Sequence, residues 1–188
     1  MSKSIAYLNL IRFFNPIGFW LLLWPGLWGL FLSGNMDISY FTIVVLGSFL
    51  TRSVGCAIND MIDIQYDKKV DRTKNRPLAN GDLTFKEALI FTIILAAACL
   101  YLLSLTNIQT ICLVLFVAVP MIVIYPLMKR FIAVPQLFLG ATFGLSLPIS
   151  YSMAEGYVSL EIIFLYLGCI FWILAYDSYY ALCDIEDD

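Results

Sequence analysis

Histidine is absent from the 188-residue sequence, and its five cysteines stand singly, with no CxxC pair. That argues against a zinc or haem site and leaves Cys56, Cys99, Cys112, Cys169 and Cys183 as small thiols within apolar helices. Charge is scarce too: 13% of the residues are Asp, Glu, Lys or Arg, against about 25% in soluble domains. No basic surface stretch of the kind nucleic acid requires is present, so nucleic acid is not an expected partner. The first apolar run, PIGFWLLLWPGLWGLFLSG, is longer than a signal-peptide core and has no clear small-x-small cleavage site. It is expected to remain in the chain as a membrane helix.

What the sequence has in quantity is apolar surface, 61% of its residues, more than a water-soluble core of this size can hide. The lipid bilayer is therefore an expected partner. About 20 apolar residues cross a bilayer as a helix, and six segments qualify: 14–34, 38–58, 86–106, 109–128, 132–153 and 158–180. Such runs are too long for barrel strands. The expected fold class is all-α, a single polytopic membrane helix bundle over 1–188. Pro25, Pro120 and Pro148 fall inside spans and should kink them. Short links make antiparallel hairpins of spans 1–2, 3–4 and 5–6.

All eleven cations lie on one set of links or beside it, and SGNMD, SLTNIQ and MAEGY carry none. The positive-inside rule then puts the N-terminus and the 59–85 segment on the cytoplasmic side, the inner membrane in a bacterium. Nine of the 25 charged residues fall within NDMIDIQYDKKVDRTKNRPL at 59–78. Asp60, Asp63 and Asp67 follow i, i+3, i+7, one helix face if span 2 continues past Asn59. Three carboxylates so placed repel and call for a cation; Mg²⁺, a hard ion completed by water and phosphate oxygens, suits them.

A second acidic run, AYDSYYALCDIEDD, closes the chain, with Asp177, Asp184 and Asp188 on one helical stripe, Tyr180 among them and Asp187 to the side. Either run alone reads equally as a solvated helix end. Together, on the same side of the membrane, they read as two acidic faces that could hold metal ions against a diphosphate. Arg72, Lys74 and Arg76 follow Asp67 within nine residues, and guanidinium groups beside metal-bearing carboxylates form a diphosphate clamp. Lys68, Lys69 and Lys86 mainly mark the cytoplasmic surface. Pro77 disfavours helix at Arg76, so NRPL reverses the chain.

The 59–78 run resembles the first aspartate-rich signature of the UbiA-type intramembrane prenyltransferases, N-D-x-x-D-x-x-x-D followed by R-T-x-x-R-P. DSYYALCDIEDD, within 177–188, resembles the second. NPIGFWLLLWPGLWGLF and YPLMKRFIAVPQLFLGATFGLSLPIS are similar to one branch, the 4-hydroxybenzoate polyprenyltransferases of ubiquinone synthesis. The resemblance covers the chain from about residue 8 to its end.

It implies Mg²⁺ held by Asp60, Asp63, Asp67, Asp184 and Asp188, and a polyprenyl diphosphate whose leaving group meets Arg72, Lys74 and Arg76. Asp63, Asp67, Asp184 and Asp188 are the expected catalytic set. An allylic carbocation would then attack the ring of an aromatic acid ortho to its hydroxyl. Arg130 is the candidate for the acid's carboxylate, and Asn59 sits near the metal or allyl group, or merely caps a helix end. Tyr125, Tyr180 and Asp177 line the cavity in this reading; for Tyr125 the alternative is the interfacial aromatic belt.

The sequence departs from the family pattern twice. Asn15 stands where a basic residue usually precedes PIG, so that anion contact is weakened or moves to Arg12. Family members also continue for about three more membrane helices, nine in all, so a C-terminal part is expected elsewhere and these 188 residues alone are expected to be inactive or poorly stable. Other UbiA-type acceptors (a naphthoate, a haem precursor, a lipid alcohol) remain open, as does a non-catalytic or transport role. The CDP-alcohol phosphotransferase opening D-G-x-x-A-R is absent.

Overall fold

The computed structural model describes residues 2–35, 37–128, 131 and 134–183, with the side chains of 126, 127 and 181–183 outside that description. The described secondary structure is helical throughout. After a short N-terminal helix α1 (Lys3–Leu10) come α2 (Ile17–Ser33), α3 (Ile38–Asp67), α4 (Phe85–Ser104) and α5 (Ile108–Leu113). One π-helical turn, Val114–Ala118, leads into α6 (Val119–Met128), followed by α7 (Pro135–Gly144), α8 (Ser146–Glu155) and α9 (Leu160–Cys183). Five stretches are long and apolar enough to cross a membrane, and α2 is a shorter apolar helix. These match the six segments read from hydropathy.

The prolines act differently from one another. A proline lacks the N–H that the carbonyl four residues earlier would accept, and its ring crowds that carbonyl. At Pro148 the affected carbonyl belongs to Gly144, and there the fifth span breaks into α7 and α8. Before Pro120 the backbone widens instead: the Val119 N–H reaches Val114 O, a π-type bond that inserts an extra residue into the turn. α2 passes through Pro25 as one uninterrupted helix.

α1 was not expected. Ser2 caps it, its Oγ accepting from the Ile5 N–H at 3.5 Å, and its apolar side packs Ala6 and Leu10 against Ala57, Leu78, Leu83 and Ala88. It closes in a Schellman arrangement, with Phe13 N–H to Leu8 O at 3.0 Å and Arg12 N–H to Asn9 O at 3.1 Å. The residue such a turn holds in the left-handed region is commonly glycine. Here it is Arg12, at φ 58°.

Around this corner α3 packs on α2 and α4, α2 on α8, and α7 on α9. In lipid, apolar burial does not drive helices together, so small residues that let backbones approach do much of the work. Gly29 faces Ser150 and the Leu147 carbonyl so closely that a Cβ there would overlap both, and a Cβ on Gly140 would come within 2.6 Å of Ile170 O. Replacing Gly29 by valine is expected to push α2 off α8 and lower stability by about 1–3 kcal/mol, the usual cost of overpacking. A falling thermal midpoint in detergent would register it; an unchanged midpoint would mean that α2 and α8 are not packed this closely.

Candidate functional site

The 30-residue α3 is about 45 Å long at 1.5 Å per residue, some 15 Å more than a hydrocarbon core requires. Its last turns therefore carry Asp60, Asp63 and Asp67 on a helical continuation of the span, one-faced as their spacing predicts. Beyond α3 the segment 68–83 folds back in consecutive turns. Thr73 Oγ1 donates to Asp67 O at 3.0 Å, and Arg76 N–H to Thr73 O and Leu83 N–H to Pro77 O follow at 2.9 and 3.0 Å. Leu78 and Leu83 are the apolar anchors, buried with α1 against α3 and α4. The chain reversal at NRPL thus returns Arg76 to the face of the helix that precedes it.

Arg76 bridges two carboxylates. Its Nη1 donates to Asp67 Oδ1 and Oδ2 at 3.0 and 2.9 Å and to Asp60 Oδ1 at 3.2 Å. Arg12 Nη2 donates to the same Asp60 oxygen at 2.6 Å. The Asp60 side chain has no solvent exposure, while those of Arg12 and Arg76 keep 20% and 26%. Lys74 is directed elsewhere: it pairs with Asp71 at 2.6 Å, both well exposed. That ammonium holds the Asp71 carboxyl below its ordinary range and gives Asp71 the partner that the sequence did not reveal.

Arg12 and Arg76 border a cavity of about 1170 Å³. Its polar end is lined by Arg12, Arg52, Arg72 and Arg76 with Asn9, Asn15, Asn59 and Asn75, and Tyr125, Tyr176, Asp177 and Tyr180 face it from the other helices. The rest of the lining is mainly apolar, from Leu100, Leu103, Val114, Leu115 and Ile122 among others, with hydroxyl groups such as Thr106, Thr110 and Ser146 between them. The π-turn contributes Val114, Leu115 and Ala118 to this wall. Tyr125 stacks on Phe138 at 6.3 Å and Tyr176 on Tyr180 at 6.4 Å. Tyr125 is therefore a wall of the cavity, and its packing with Leu21, Leu139 and Ile173 takes it out of a lipid-facing belt.

Arg52, which the sequence marks only as one of the cations that orient the chain, also lines the cavity. It lies two turns before Asn59 on α3, with its Nε buried and without a hydrogen-bond partner. Its guanidinium stands 5.5 Å from the Phe143 ring. A Cβ on Gly18 would come within 2.6 Å of its Cζ, so glycine at that place makes room for it. The signal was available: a cation within an apolar span is a functional hypothesis by default. Arg12 and Arg52 also border a side pocket of about 260 Å³ walled by Phe13, Phe19, Trp20 and Phe49.

Among the described residues no three acidic or cysteine side chains converge on one point. Asp63 and Asp67 offer hard oxygen donors one turn apart, a partial set of the kind Mg²⁺ completes with water and phosphate, so the residues fit that ion. Arg130, Asp184 and Asp188 lie outside the described residues, as does Asp187.

The family model for the UbiA prenyltransferase family matches residues 22–188. The chain belongs to that family. Two curated relatives carry the name 4-hydroxybenzoate octaprenyltransferase. The protein of Polynucleobacter necessarius subsp. necessarius (strain STIR1) is 45% identical over 192 residues, taking in all of this chain and 66% of the relative. That of Pasteurella multocida (strain Pm70) is 46% identical over 189 residues, again all of this chain and 65% of the relative. The chain thus spans slightly less than two thirds of their length. Among solved structures, a UbiA homolog from Archaeoglobus fulgidus bound to GPP and Mg²⁺ superposes with a TM-score of 0.77 at 22% identity, over 97% of this chain and 65% of that one. That likeness shows the family's fold.

Proposed function

We propose that the chain forms the prenyl diphosphate site of an enzyme that transfers a polyprenyl group to the ring carbon ortho to the hydroxyl of 4-hydroxybenzoate. The observation that carries this reading is the cavity itself, lined by four arginines and, for the larger part, by apolar side chains. An anionic head on a long hydrocarbon tail is the ligand it complements. The names of the relatives supply the acceptor and the octaprenyl donor, and the complex of the Archaeoglobus homolog supplies the precedent for a prenyl diphosphate with Mg²⁺.

In the reaction the allylic C–O bond breaks with its electron pair passing to the diphosphate. The ring carbon then bonds the allylic carbon and passes its proton to the released diphosphate. Asp63 and Asp67, with Asp184 and Asp188 of the second run, would hold Mg²⁺, which would supply Lewis-acid stabilisation of the departing oxygens. Arg72, Arg76 and Arg12 provide guanidinium donors where negative charge develops, fixed in place before the reaction begins. Tyr125, Tyr176 and Tyr180 present ring faces, which attract a cation in a dry site, and the apolar wall keeps water from the allylic carbon. The arginine end, with the basic 68–76 segment beside it, faces the cytoplasm on the positive-inside rule.

The acceptor carboxylate is assigned to Arg52, beside the aromatic-walled pocket of Phe19, Trp20 and Phe49. Losing one charge-assisted contact costs about 1.5–3 kcal/mol, so Arg52→Gln should weaken 4-hydroxybenzoate binding about 10- to 100-fold. Phenol, which lacks the carboxylate, should bind the variant and the parent alike. Equal losses for both ligands would remove Arg52 from the carboxylate role. The reading as a whole is tested by incubating the chain with geranyl diphosphate, 4-hydroxybenzoate and Mg²⁺, alone and with the C-terminal third of a relative supplied in trans. A ring-prenylated acid supports it; absence of both product and geranyl diphosphate binding would refute it.

A further inference from the structure

We infer that Asp60 is a positioning residue for Arg12 and Arg76 and not a ligand of the metal, an inference that rests on the prenyl diphosphate reading above. Sequence spacing groups Asp60 with Asp63 and Asp67, but its surroundings separate it from them. One oxygen, Oδ1, accepts from both Arg12 and Arg76, at 2.6 and 3.2 Å. The other, Oδ2, is buried with no hydrogen-bond partner. Both arginines line the cavity, while none of Asp60, Asp63 and Asp67 does; what sets Asp60 apart is a side chain with no exposure and an oxygen that takes both guanidinium groups. The carboxylate therefore sits behind the guanidinium groups, with no face left toward a diphosphate.

Three parts of the chain meet at this oxygen. Arg12 comes from the turn after α1, Asp60 from α3, and Arg76 from the returning segment that Leu78 and Leu83 anchor. Arg12 is further constrained by Nη1 donating to Asn9 O at 2.9 Å and by its left-handed backbone. A guanidinium has five N–H donors, so these bonds hold the group while leaving donors for the cavity. The arrangement also answers the departure at Asn15: the cation that the pattern would place just before PIG is replaced in space by Arg12, drawn to the site by Asp60.

The two roles separate in the response to Mg²⁺. Geranyl diphosphate and inorganic pyrophosphate binding to the full 188-residue chain in detergent is measured in EDTA and across a Mg²⁺ titration. Asp60→Asn keeps the side chain's size and is expected to weaken binding about 10-fold in EDTA and in saturating Mg²⁺ alike. The half-saturating Mg²⁺ concentration should stay within about twofold of the parent's. In a background already carrying Arg12→Gln and Arg76→Gln, Asp60→Asn should have no further effect, because its action passes through those arginines.

A raised Mg²⁺ requirement, rescue by excess Mg²⁺, or a full effect persisting in the arginine-less background would make Asp60 a ligand and overturn the inference. Unchanged or tighter binding by Asp60→Asn would overturn it as well. If Asp60→Asn does not fold, Asp60→Asn/Arg12→Gln compared with Arg12→Gln alone gives the same comparison with the charges removed together. Parent protein that binds pyrophosphate but not geranyl diphosphate would sink only the lipid-substrate reading, and the Asp60 comparison would run on pyrophosphate. Parent protein that binds neither anion would overturn both.

Discussion

Replacing Arg76 by alanine should lower both stability and diphosphate affinity, the only single substitution here expected to do both strongly. Arg76 contacts Asp60 and Asp67 through one nitrogen, and both carboxylates are buried. Removing one partner of a buried ion pair costs about 3–5 kcal/mol, because the charge left behind stays desolvated. The side chain keeps 26% exposure, and solvent screening brings the figure to about 2–3 kcal/mol. Pyrophosphate affinity should fall about 100-fold, as expected for losing a forked, charge-assisted contact of about 3 kcal/mol.

Arg76→Lys is the informative companion. It restores the charge but presents a compact ammonium in place of a planar fork, so it should recover part of the stability and little of the affinity. Thermal midpoint and pyrophosphate titration of the two variants check both statements. Full recovery of affinity by lysine would show that charge, not the fork, binds the anion.

The second large effect belongs to Asp63. In the proposed site it holds Mg²⁺, and Asp63→Ala keeps every group of the Arg12–Asp60–Arg76–Asp67 network. Pyrophosphate binding in EDTA should then be near the parental value, and the enhancement by Mg²⁺ should be lost. Metal stabilisation of phosphate oxygens is worth several kcal/mol, so the deficit at saturating Mg²⁺ should reach about 100-fold. Asp67→Ala is predicted to fail under both conditions, since it removes an Arg76 partner along with a metal donor. A Mg²⁺ response that survives in Asp63→Ala would exclude it from the metal set. The contrast between these neighbours on one helix face measures which carboxylates serve the ion and which serve the arginines.

Much of this protein follows from residue order alone. Apolar run length determines that the chain forms membrane helices, because lipid leaves the backbone no partner but itself. The i, i+3, i+7 spacing determines that Asp60, Asp63 and Asp67 share a face, and Pro77 that the chain turns back after them. Pro148 marks the break between α7 and α8, since it has no N–H to donate to the Gly144 carbonyl. Each of these is local, decided within a few residues by backbone sterics or hydrogen-bond demand.

Which carboxylate does what was decided only in three dimensions. Asp60 belongs with the arginines because the returning 68–83 segment and the left-handed turn at Arg12 bring two guanidinium groups from 48 residues before it and 16 after it to one oxygen. Lys74 leaves the site because Asp71, three residues away, satisfies it more directly. Arg52 enters because Gly18 and Phe143, on two other helices, shape the place where its charge comes to rest. Charges act through space and are strengthened by burial, so their roles depend on which distant segments pack around them, and that information resides in the assembled bundle.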